Sequence, residues 1–468
     1  MPIDRRNFLT IAATGVVQAA RRATKPHLIL FLADDLGCWD TSVFGNRTVR
    51  TPNVERLAAS GTTFANCFSG AAICIPSRAI LASGLCSHRN GAIANGRQLR
   101  ADIRTLPTYL KDLGYKTAHF GKNHYLPKES YADWEAVPSE IRREALTSDL
   151  NPQAVDQWLA DRSASKQPLC LIVNCHSPHV TWDENRDYDP ARVSLPPSFA
   201  DTPETRAARC RYYTDVTKMD EQLGQVYASV RKHLGGDALF LFTSDNGAQW
   251  PFAKWNLYDA GIRLPLIASW PGVIKAGAAN DAMLHFTDFL PSFMEAAGGR
   301  PPSDIDGKSF LGVLTGSAKT HRKEIFASHT ADNNGQMNCY PMRAVRDGRY
   351  KYIRNLRPDL AYHTHIDRGV ARDGREYWES WRSLAKTDPG TASLVRRYHQ
   401  RPAEELYDLR EDPHELRNAA TQASSKTVLD RMRASLDRWM KGMNDEGELF
   451  GPPRPLDQNP KLFEGLAT

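Results

Sequence analysis

The chain has 468 residues, of which 41% are hydrophobic and 24% are charged, a composition that excludes a disordered or fibrous protein. This length is too great for one compact core and predicts two domains. The net charge of +6 suits an anionic ligand, but no long basic run accompanies it, so nucleic acid is not a predicted partner. The eight cysteines include no C-x-x-C pair, so neither a zinc site nor a disulfide framework is indicated.

Residues 1–22 have the pattern of an export signal. Arg5 and Arg6 are followed by Phe8 and by a short apolar run over residues 11–20, which resembles a twin-arginine signal. A disordered basic tail is the alternative interpretation. No later stretch approaches the ~20 apolar residues that cross a membrane, so no membrane partner is predicted. The mature chain is expected in the periplasm or outside the cell.

Two continuous apolar runs of strand length end in groups of oxygen-bearing side chains. Residues 27–32 are followed by Asp34 and Asp35, and residues 238–242 are followed by Asp245 and Asn246. Such runs are typical of strands covered on both faces in a parallel sheet, where ligands bind at the carboxyl ends. Although adjacent acids can simply cap a turn, these four side chains form a predicted site for a hard cation such as Ca²⁺.

Cys74 lies just ahead of the N-terminus of a predicted helix. Pro76 fits the first turn of that helix, and Gly84 ends it about two turns later. The free amides of a helix N-terminus favour negative charge, and Arg78, one turn further on, can point to the same place. The stretch therefore predicts a nucleophile within an anion-binding site, with a buried structural cysteine as an equally weighted alternative.

The run Cys-Ile-Pro-Ser-Arg at residues 74–78, with Ser83 and Gly84 after it, resembles the signature of the formylglycine-dependent sulfatases. The family usually has Thr-Gly where this chain has Ser-Gly. In that family a formylglycine-generating enzyme oxidises the cysteine to an aldehyde, whose hydrate is the nucleophile. The resemblance implies that Cys74 is converted, that it also contacts a calcium ion, and that the maturation enzyme is a partner.

Three later segments follow in the family's order. In Gly-Lys-Asn-His at residues 121–124, the resemblance assigns Lys122 to the sulfate and His124 to the hydrated aldehyde, although the family commonly has Trp at position 123. In His-Ser-Pro-His at residues 176–179, it assigns His179 to the sulfate and the leaving oxygen, as general acid. His176 is interpreted as structural. Lys254 matches a second sulfate-binding lysine.

His88 follows the predicted nucleophile in an apparent loop over residues 85–91. It is a candidate for substrate contact, with a solvated histidine as the alternative. The neighbouring pattern Gly84-Leu85 followed by His88-x-Asn90-Gly91 resembles the heparan N-sulfatase (sulfamidase) branch. That branch has Arg where this chain has Lys254. The lysine ammonium is a point charge and the arginine guanidinium a planar fork, so the two side chains hold sulfate differently.

The resemblance implies an alkaline-phosphatase-like α/β fold, with a large mixed, mostly parallel sheet between helices, over residues 23–335. Residues 336–468 form the predicted smaller α+β domain with an antiparallel sheet. The latter rests on an Asp-Gly turn at residues 347–348 between strand-like runs, a strand near residues 405–409 and a helix near residues 428–439. Residues 356–404 are aromatic and basic without clear periodicity, which suits a sugar-binding surface or, alternatively, ordinary solvated surface.

The predicted activity is hydrolysis of sulfate from a sulfated glycan or small sulfated sugar, with terminal N-sulfoglucosamine ahead of O-sulfated sugars. An arylsulfatase, or a phosphonate or phosphodiester hydrolase of the same superfamily, is an alternative. A catalytically silent glycan-binding protein is another, if the host does not convert Cys74.

Overall fold

The computed structural model describes residues 25–122, 133–142, 148–330, 339–447 and 460–467. Its strands, in chain order, are β1 (His27–Ala33), β2 (Thr62–Phe68), β3 (Lys116–Gly121), β4 (Glu135–Val137), β5 (Glu140–Arg142), β6 (Ser148–Leu150), β7 (Leu169–Asn174), β8 (Ala238–Ser244), β9 (Arg263–Ser269), β10 (Ala278–Asn280), β11 (Leu284–His285), β12 (Glu324–His329), β13 (Met342–Asp347), β14 (Tyr350–Asn355) and β15 (Glu404–Asp408).

The α-helices are α1 (Pro52–Ser60), α2 (Cys74–Ser83), α3 (Ser87–Asn90), α4 (Leu106–Asp112), α5 (Pro152–Ala160), α6 (Pro203–Leu234), α7 (Asp259–Ile262), α8 (Phe289–Ala296), α9 (Leu311–Leu314), α10 (His365–Arg368), α11 (Arg375–Leu384), α12 (Pro389–His399) and α13 (Lys426–Gly442). Among the residues described, no helix is both long and apolar enough to cross a membrane.

The larger sheet has nine strands in the order β10-β2-β9-β8-β1-β7-β3-β4, with β11 beside β2. β1 lies at its centre and runs parallel to β7 and β8. β9 is antiparallel to both β8 and β2. The sheet is therefore mixed and mostly parallel, which confirms the predicted fold class.

Helices cover both faces of this sheet. Alternate residues of a strand point to opposite faces, so β1 contacts helices on each side. Ile29 and Phe31 of β1 pack into one apolar cluster together with α6. Leu28 and Leu30 pack into a second cluster, with α2, α4 and α8. This two-sided burial explains why residues 27–33 are apolar throughout rather than alternating.

A second, antiparallel sheet has the order β12-β13-β14-β15. The predicted Asp-Gly hairpin is present as β13 and β14, and α13 packs on the sheet through Leu429, Met432 and Leu436. The predicted boundary at residue 336 is wrong for β12, because this strand precedes the boundary but pairs with β13. The strand β12 itself was not predicted from the sequence, so its pairing with β13 was not predicted either.

Residues 356–404 contain α10, α11 and α12, helices that the sequence did not predict. Trp378 and Trp381 of α11 are at most 1% exposed and belong to the same apolar cluster as α6. The indole N–H of Trp381 donates to Thr205 Oγ1 at 2.7 Å. The expectation that these aromatic side chains meet sugar is therefore wrong, because they form core between the two parts of the chain.

Candidate active site

The predicted site residues meet where the strands of the larger sheet end. Asp34 and Asp35 follow β1, and Asp245 and Asn246 follow the parallel strand β8. Lys122 follows β3. Carboxyl ends of parallel strands lie on one edge of a sheet, so residues far apart in the chain converge there. The backbone N–H groups at the start of α2 meet the same edge.

Cys74 is the first residue of α2, with Ile73 as the extended N-cap, rather than just ahead of the helix as predicted. Its Sγ lies 3.6 Å from Asp34 Oδ1 and 4.0 Å from Asp35 Oδ1. Lys122 Nζ lies 3.9 Å away. Burial raises the pKa of the Cys74 thiol well above its usual value, so the unmodified side chain is a neutral thiol and a poor nucleophile.

Arg78 connects three strand ends from one turn further along α2. Its Nε donates to Asp245 Oδ2 at 2.8 Å and its Nη1 donates to Asn174 Oδ1 at 2.6 Å. A further nitrogen lies 3.6 Å from Asp34 Oδ1. Arg78 is 1% exposed. Its planar fork therefore fixes the carboxylates around Cys74.

Two lysines pair with the remaining carboxylate oxygens. Lys122 forms an ion pair with Asp34, and Lys254 Nζ donates to Asp35 Oδ2 at 2.6 Å. Both ammonium groups lie in the cluster around the Cys74 thiol. Their positive charges lower the pKa of this thiol and so oppose the effect of burial. Three cationic side chains thus face three carboxylates in a largely buried site.

The three carboxylates differ in proton affinity. Burial alone would raise the pKa of Asp34, but Lys122 and the neighbouring cations hold it well below its usual value. Burial raises the pKa of Asp35 despite the contact with Lys254. Burial also raises the pKa of Asp245, to about 6.

Both histidines of residues 176–179 face this cluster. His179 Nε2 lies 3.6 Å from Asp35 Oδ2, and its Nδ1 is hydrogen-bonded to the carbonyl of Val180. Burial, followed by the two lysine charges, lowers the pKa of His179 well below its usual value. His176 Nδ1 lies 3.4 Å from Asp34 Oδ2, so this histidine, interpreted as structural, is also at the site.

The donor set fits a hard cation. Asn246 Nδ2 donates to Asp35 Oδ1 at 2.7 Å and to the Gly247 carbonyl at 2.8 Å, but its buried Oδ1 has no hydrogen-bond partner among the described residues. An orphaned amide oxygen beside carboxylates is what a calcium ion would satisfy. Asp245 is already engaged, with Arg78 and with the backbone N–H of Asp35. One ligand atom from each of four side chains lies within 4.8 Å of the others: Asp34, Asp35, Cys74 and His179.

The predicted site residues also include His88 and His124. His124 lies outside the described residues. His88 is in the short helix α3, where a loop was expected, and its Nε2 lies 3.1 Å from Arg343 and 3.3 Å from Asp445. Burial and the Arg343 charge lower the pKa of His88 to about 4. The structure therefore gives His88 a contact with the second sheet instead of solvent.

Two residues at the site were missed. Asn174 ends β7 opposite Leu32 of β1, and its position at the same strand edge as Asp34 was the available signal. Ser77 Oγ donates to the Asp245 carbonyl at 2.6 Å. Its place within the Cys-Ile-Pro-Ser-Arg signature was the available signal for that serine.

This geometry defines a class of protein: an α/β protein with a buried cluster of cationic and acidic side chains at the carboxyl edge of its sheet. Comparison with known proteins narrows the class. A family model described as Sulfatase matches residues 26–299. A second, described as N-sulphoglucosamine sulphohydrolase, C-terminal, matches residues 247–368.

The chain is 32% identical over 440 residues to an ulvan-active sulfatase of Formosa agariphila, covering 90% of this chain and 81% of that protein. It is 27% identical over 467 residues to the N-sulphoglucosamine sulphohydrolase of Homo sapiens, covering 91% of each. A solved structure of a protein in complex with its substrate, D-glucosamine-2-N,6-O-disulfate, superposes with a TM-score of 0.68 at 19% identity. That match covers 90% of this chain and 99% of the other, and shows the fold. The chain belongs to the sulfatase family, the enzymes that hydrolyse sulfate esters.

Proposed function

We propose that this sulfatase removes sulfate from a sulfated carbohydrate, using a formylglycine made from Cys74 and one calcium ion. The observation that carries the proposal is the position of residue 74, with its side chain among three cationic groups and three carboxylates. The names of the relatives, which include an ulvan-active sulfatase and an N-sulphoglucosamine sulphohydrolase, support a carbohydrate as the substrate.

The formylglycine hydrate would supply one hydroxyl to attack sulfur and a second whose deprotonation releases the sulfate. The residues around it have separate tasks. Lys122 and Lys254 bind sulfate oxygens and neutralise the charge that develops on them, a form of preorganisation worth several kcal/mol. Arg78 acts by orienting Asp245 and Asn174 while adding positive charge.

His179 is the proposed general acid. Its Nδ1 contact with the Val180 carbonyl fixes the ring orientation and leaves Nε2 directed at the cluster. Because a carbonyl only accepts, Nδ1 carries the proton of the neutral ring, so Nε2 must take up a second proton before it can donate one to the leaving oxygen of the sugar. His124 is proposed to hold the hydrate, on the resemblance alone.

The calcium ion would be held by carboxylate and amide oxygens from Asp34, Asp35, Asp245 and Asn246, with residue 74 beside them. When bound it would withdraw charge from the sulfate and lower the pKa of the attacking hydroxyl. The orphaned Oδ1 of Asn246 supports this assignment, because a bound cation would compensate its burial.

For the substrate, we propose a terminal N-sulfoglucosamine ahead of an O-sulfated sugar. The match of residues 247–368 to the C-terminal family model supports the N-sulfated choice. The more similar ulvan-active relative is the reason to keep O-sulfated sugars as the second candidate. Export to the periplasm or beyond is proposed from Arg5, Arg6 and the apolar run over residues 11–20.

The test measures inorganic sulfate released by the purified, calcium-loaded enzyme from N-sulfoglucosamine, glucosamine 6-O-sulfate and ulvan oligosaccharides. We expect the largest kcat/KM with N-sulfoglucosamine. Turnover of O-sulfated compounds only would overturn the N-sulfate assignment and leave the sulfatase assignment standing. An aryl phosphate diester is included, because preference for it would favour the phosphodiesterase alternative.

A mass spectrum of the peptide carrying residue 74 completes the test. Detection of the aldehyde together with sulfate release supports the formylglycine proposal. An unconverted thiol in protein produced with the maturation enzyme, and no turnover of any substrate, would favour the silent glycan-binding alternative.

A further inference from the structure

A second group of metal-ligating side chains lies in the helical stretch between β14 and β15. His363, Asp367 and His399 each offer one ligand atom, and these atoms lie within 4.8 Å of one another. They line a cavity of about 250 Å³. His363 Nδ1 and Asp367 Oδ2 are 2.5 Å apart, and the centroids of the two imidazole rings are 4.9 Å apart.

His399 supplies an observation independent of this clustering. Its ring is 1% exposed, and its Nδ1 lies 2.8 Å from the carbonyl oxygen of Tyr362. Since a carbonyl only accepts, Nδ1 carries the proton and Nε2 has a free lone pair. Within the described ranges that buried Nε2 has no hydrogen-bond partner. An imidazole held by a carbonyl through one nitrogen, with the other unsatisfied, has the arrangement of a metal-ligating histidine.

The surrounding fold holds the other ligands in place. Asp367 Oδ1 accepts hydrogen bonds from the Thr364 backbone N–H at 2.7 Å and from the Tyr398 hydroxyl at 3.1 Å. The Trp378 ring packs edge-on against His399, with centroids 5.4 Å apart. Ligands fixed by packing and by outer hydrogen bonds lose little entropy on binding an ion.

We propose that His363, Asp367 and His399 bind a borderline transition-metal ion of the Zn²⁺ type. Two imidazole nitrogens and one carboxylate oxygen suit zinc, whereas calcium and magnesium favour oxygen ligands only. Three protein ligands leave the fourth tetrahedral position to water or to a ligand in the cavity. The site is separate from the cluster around Cys74 and independent of the proposed function.

The guanidinium group of Arg368 competes with a metal ion for the space between these ligands. Its Nε lies 3.3 Å from His363 Nδ1 and 3.5 Å from Asp367 Oδ2, so its guanidinium stands where it opposes a bound cation. The Arg368 side chain is 32% exposed and can turn to solvent when an ion enters. Arg375 and Arg382 also line the cavity, which makes an anion such as sulfate the rival ligand.

The experiment uses the full chain, stripped of transition metals and kept in excess Ca²⁺, which competes for the oxygen-rich cluster around Cys74. Zn²⁺ is titrated calorimetrically and bound zinc is counted by elemental analysis. Co²⁺ then serves as a spectroscopic probe, since four-coordinate cobalt with nitrogen ligands absorbs visible light more strongly than six-coordinate oxygen-ligated cobalt. We expect one zinc per chain and an intense cobalt spectrum.

Three variants sharpen the result. His399→Gln should weaken zinc binding by about 100-fold or more, because a ligand is lost. Arg368→Gln should tighten it, because the competing charge is gone. His365→Gln is the matched control, since this nearby histidine stacks on Trp255 and is not in the cluster; its zinc affinity should equal that of the wild type.

Melting curves and sulfate release establish that each variant is folded. The proposal is overturned if the wild type binds no zinc, or if folded His399→Gln keeps wild-type zinc affinity. If His399→Gln does not fold, Asp367→Asn and Arg368→Gln are measured in its place. Unchanged zinc affinity in both of these variants would also overturn the proposal. Sulfate binding to this cavity without zinc binding would identify an anion site instead.

Discussion

Two buried charge clusters use the same residue types and differ in what they leave unsatisfied. The strand-end cluster comprises Asp34, Asp35 and Asp245 with Arg78, Lys122 and Lys254. The inter-sheet network comprises Asp259 and Glu415 with Arg346 and Lys351. In that network Lys351 Nζ lies 2.5 Å from Asp259 and 2.9 Å from Glu415, and Glu415 Oε2 accepts from the Asp259 backbone N–H at 2.6 Å.

In the inter-sheet network the ion pairs connect α7 to strands of the second sheet. Glu415 Oε1 has no hydrogen-bond partner among the described residues, but it lies 2.9 Å from the Lys351 ammonium group. The strand-end cluster instead retains the orphaned Oδ1 of Asn246 and gathers lysines around a single side chain. Burial and charge balance therefore do not separate a structural cross-link from a ligand site. The two clusters differ in that the unsatisfied Glu415 Oε1 is compensated by the Lys351 ammonium group, whereas the unsatisfied Asn246 Oδ1 belongs to a neutral amide beside carboxylates.

The largest expected effect follows from removing the proposed nucleophile. Cys74→Ala should leave the melting temperature within a few degrees of the wild type and reduce sulfate release by about 10³-fold or more. Cys170→Ala, which removes another buried thiol from the core, is the control and should retain turnover. Near wild-type kcat in Cys74→Ala would sink the nucleophile assignment.

Breaking the inter-sheet network should act on stability instead. Lys351→Met leaves Asp259 and Glu415 without their shared cation, and removal of one partner of a buried pair costs about 3–5 kcal/mol. Chemical denaturation should show this loss, while kcat/KM at low temperature changes less than threefold. A large fall in kcat/KM for well-folded Lys351→Met would contradict the separation of the two clusters.

The matching change in the strand-end cluster is Lys254→Met. We expect kcat/KM to fall by about 10²-fold, because a donor to the sulfate is lost. The free energy of unfolding should change less than in Lys351→Met, because calcium would still compensate Asp35. Both variants are compared by denaturation and by sulfate release. Equal losses of unfolding free energy in the two variants would contradict the distinction between the two clusters.

Chelation tests the orphaned acceptor directly. Removing a metal that binds only the folded chain lowers stability by an amount set by its concentration over Kd, about 2.7 kcal/mol at a ratio of 100. Sulfate release should fall with it and return on adding Ca²⁺. Full turnover and an unchanged melting curve in protein shown by elemental analysis to lack metal would contradict a calcium site.

The smallest predicted effect is a pH dependence in the inter-sheet network. Burial raises the pKa of Glu415 to about 7, against the opposing charge of Lys351. Between the unfolded value near 4.5 and that folded value, the native state holds a proton that the unfolded state has lost. Stability contributed by Glu415 therefore falls as pH rises through this window.

Glu415→Gln should remove that contribution, reducing the decline in unfolding free energy between pH 5 and 7 by about 1–2 kcal/mol. Denaturation at several pH values measures it. Glu411→Gln, at an exposed position in the same segment, is the control. Parallel wild-type and Glu415→Gln profiles would show that Glu415 titrates normally.

The sequence was informative where local patterning and chain order carry the structure. The two buried strands that lead to Asp34 and Asp245, the helix between Pro76 and Gly84, and the hairpin at residues 347–348 are all present as predicted. Each depends on a signal within a few residues: an apolar run, a proline or glycine at a helix end, or a turn dipeptide.

Features that depend on contacts between distant segments were not predictable. His176 reaches Asp34 because β7 and β1 are neighbours, and His88 in α3 meets Asp445, which follows α13. The helices of residues 356–404 were missed because α11 carries charged residues beside aromatic ones. Only packing against α6 shows that its aromatic face is core. His399 gave no signal of its own, since its unsatisfied nitrogen exists only in the folded chain.

The burial of residue 74 limits when the proposed conversion to formylglycine could take place. The thiol is 1% exposed, and the parts of its enclosure contributed by β8 and its following loop are synthesised late, since Arg78 and Asp245 are separated by 167 residues. At about 5–20 residues per second, that interval takes roughly 8–33 s on the ribosome. A modifying enzyme would have to reach the nascent chain within about that time, and protein that folds with the thiol intact would be closed to later conversion.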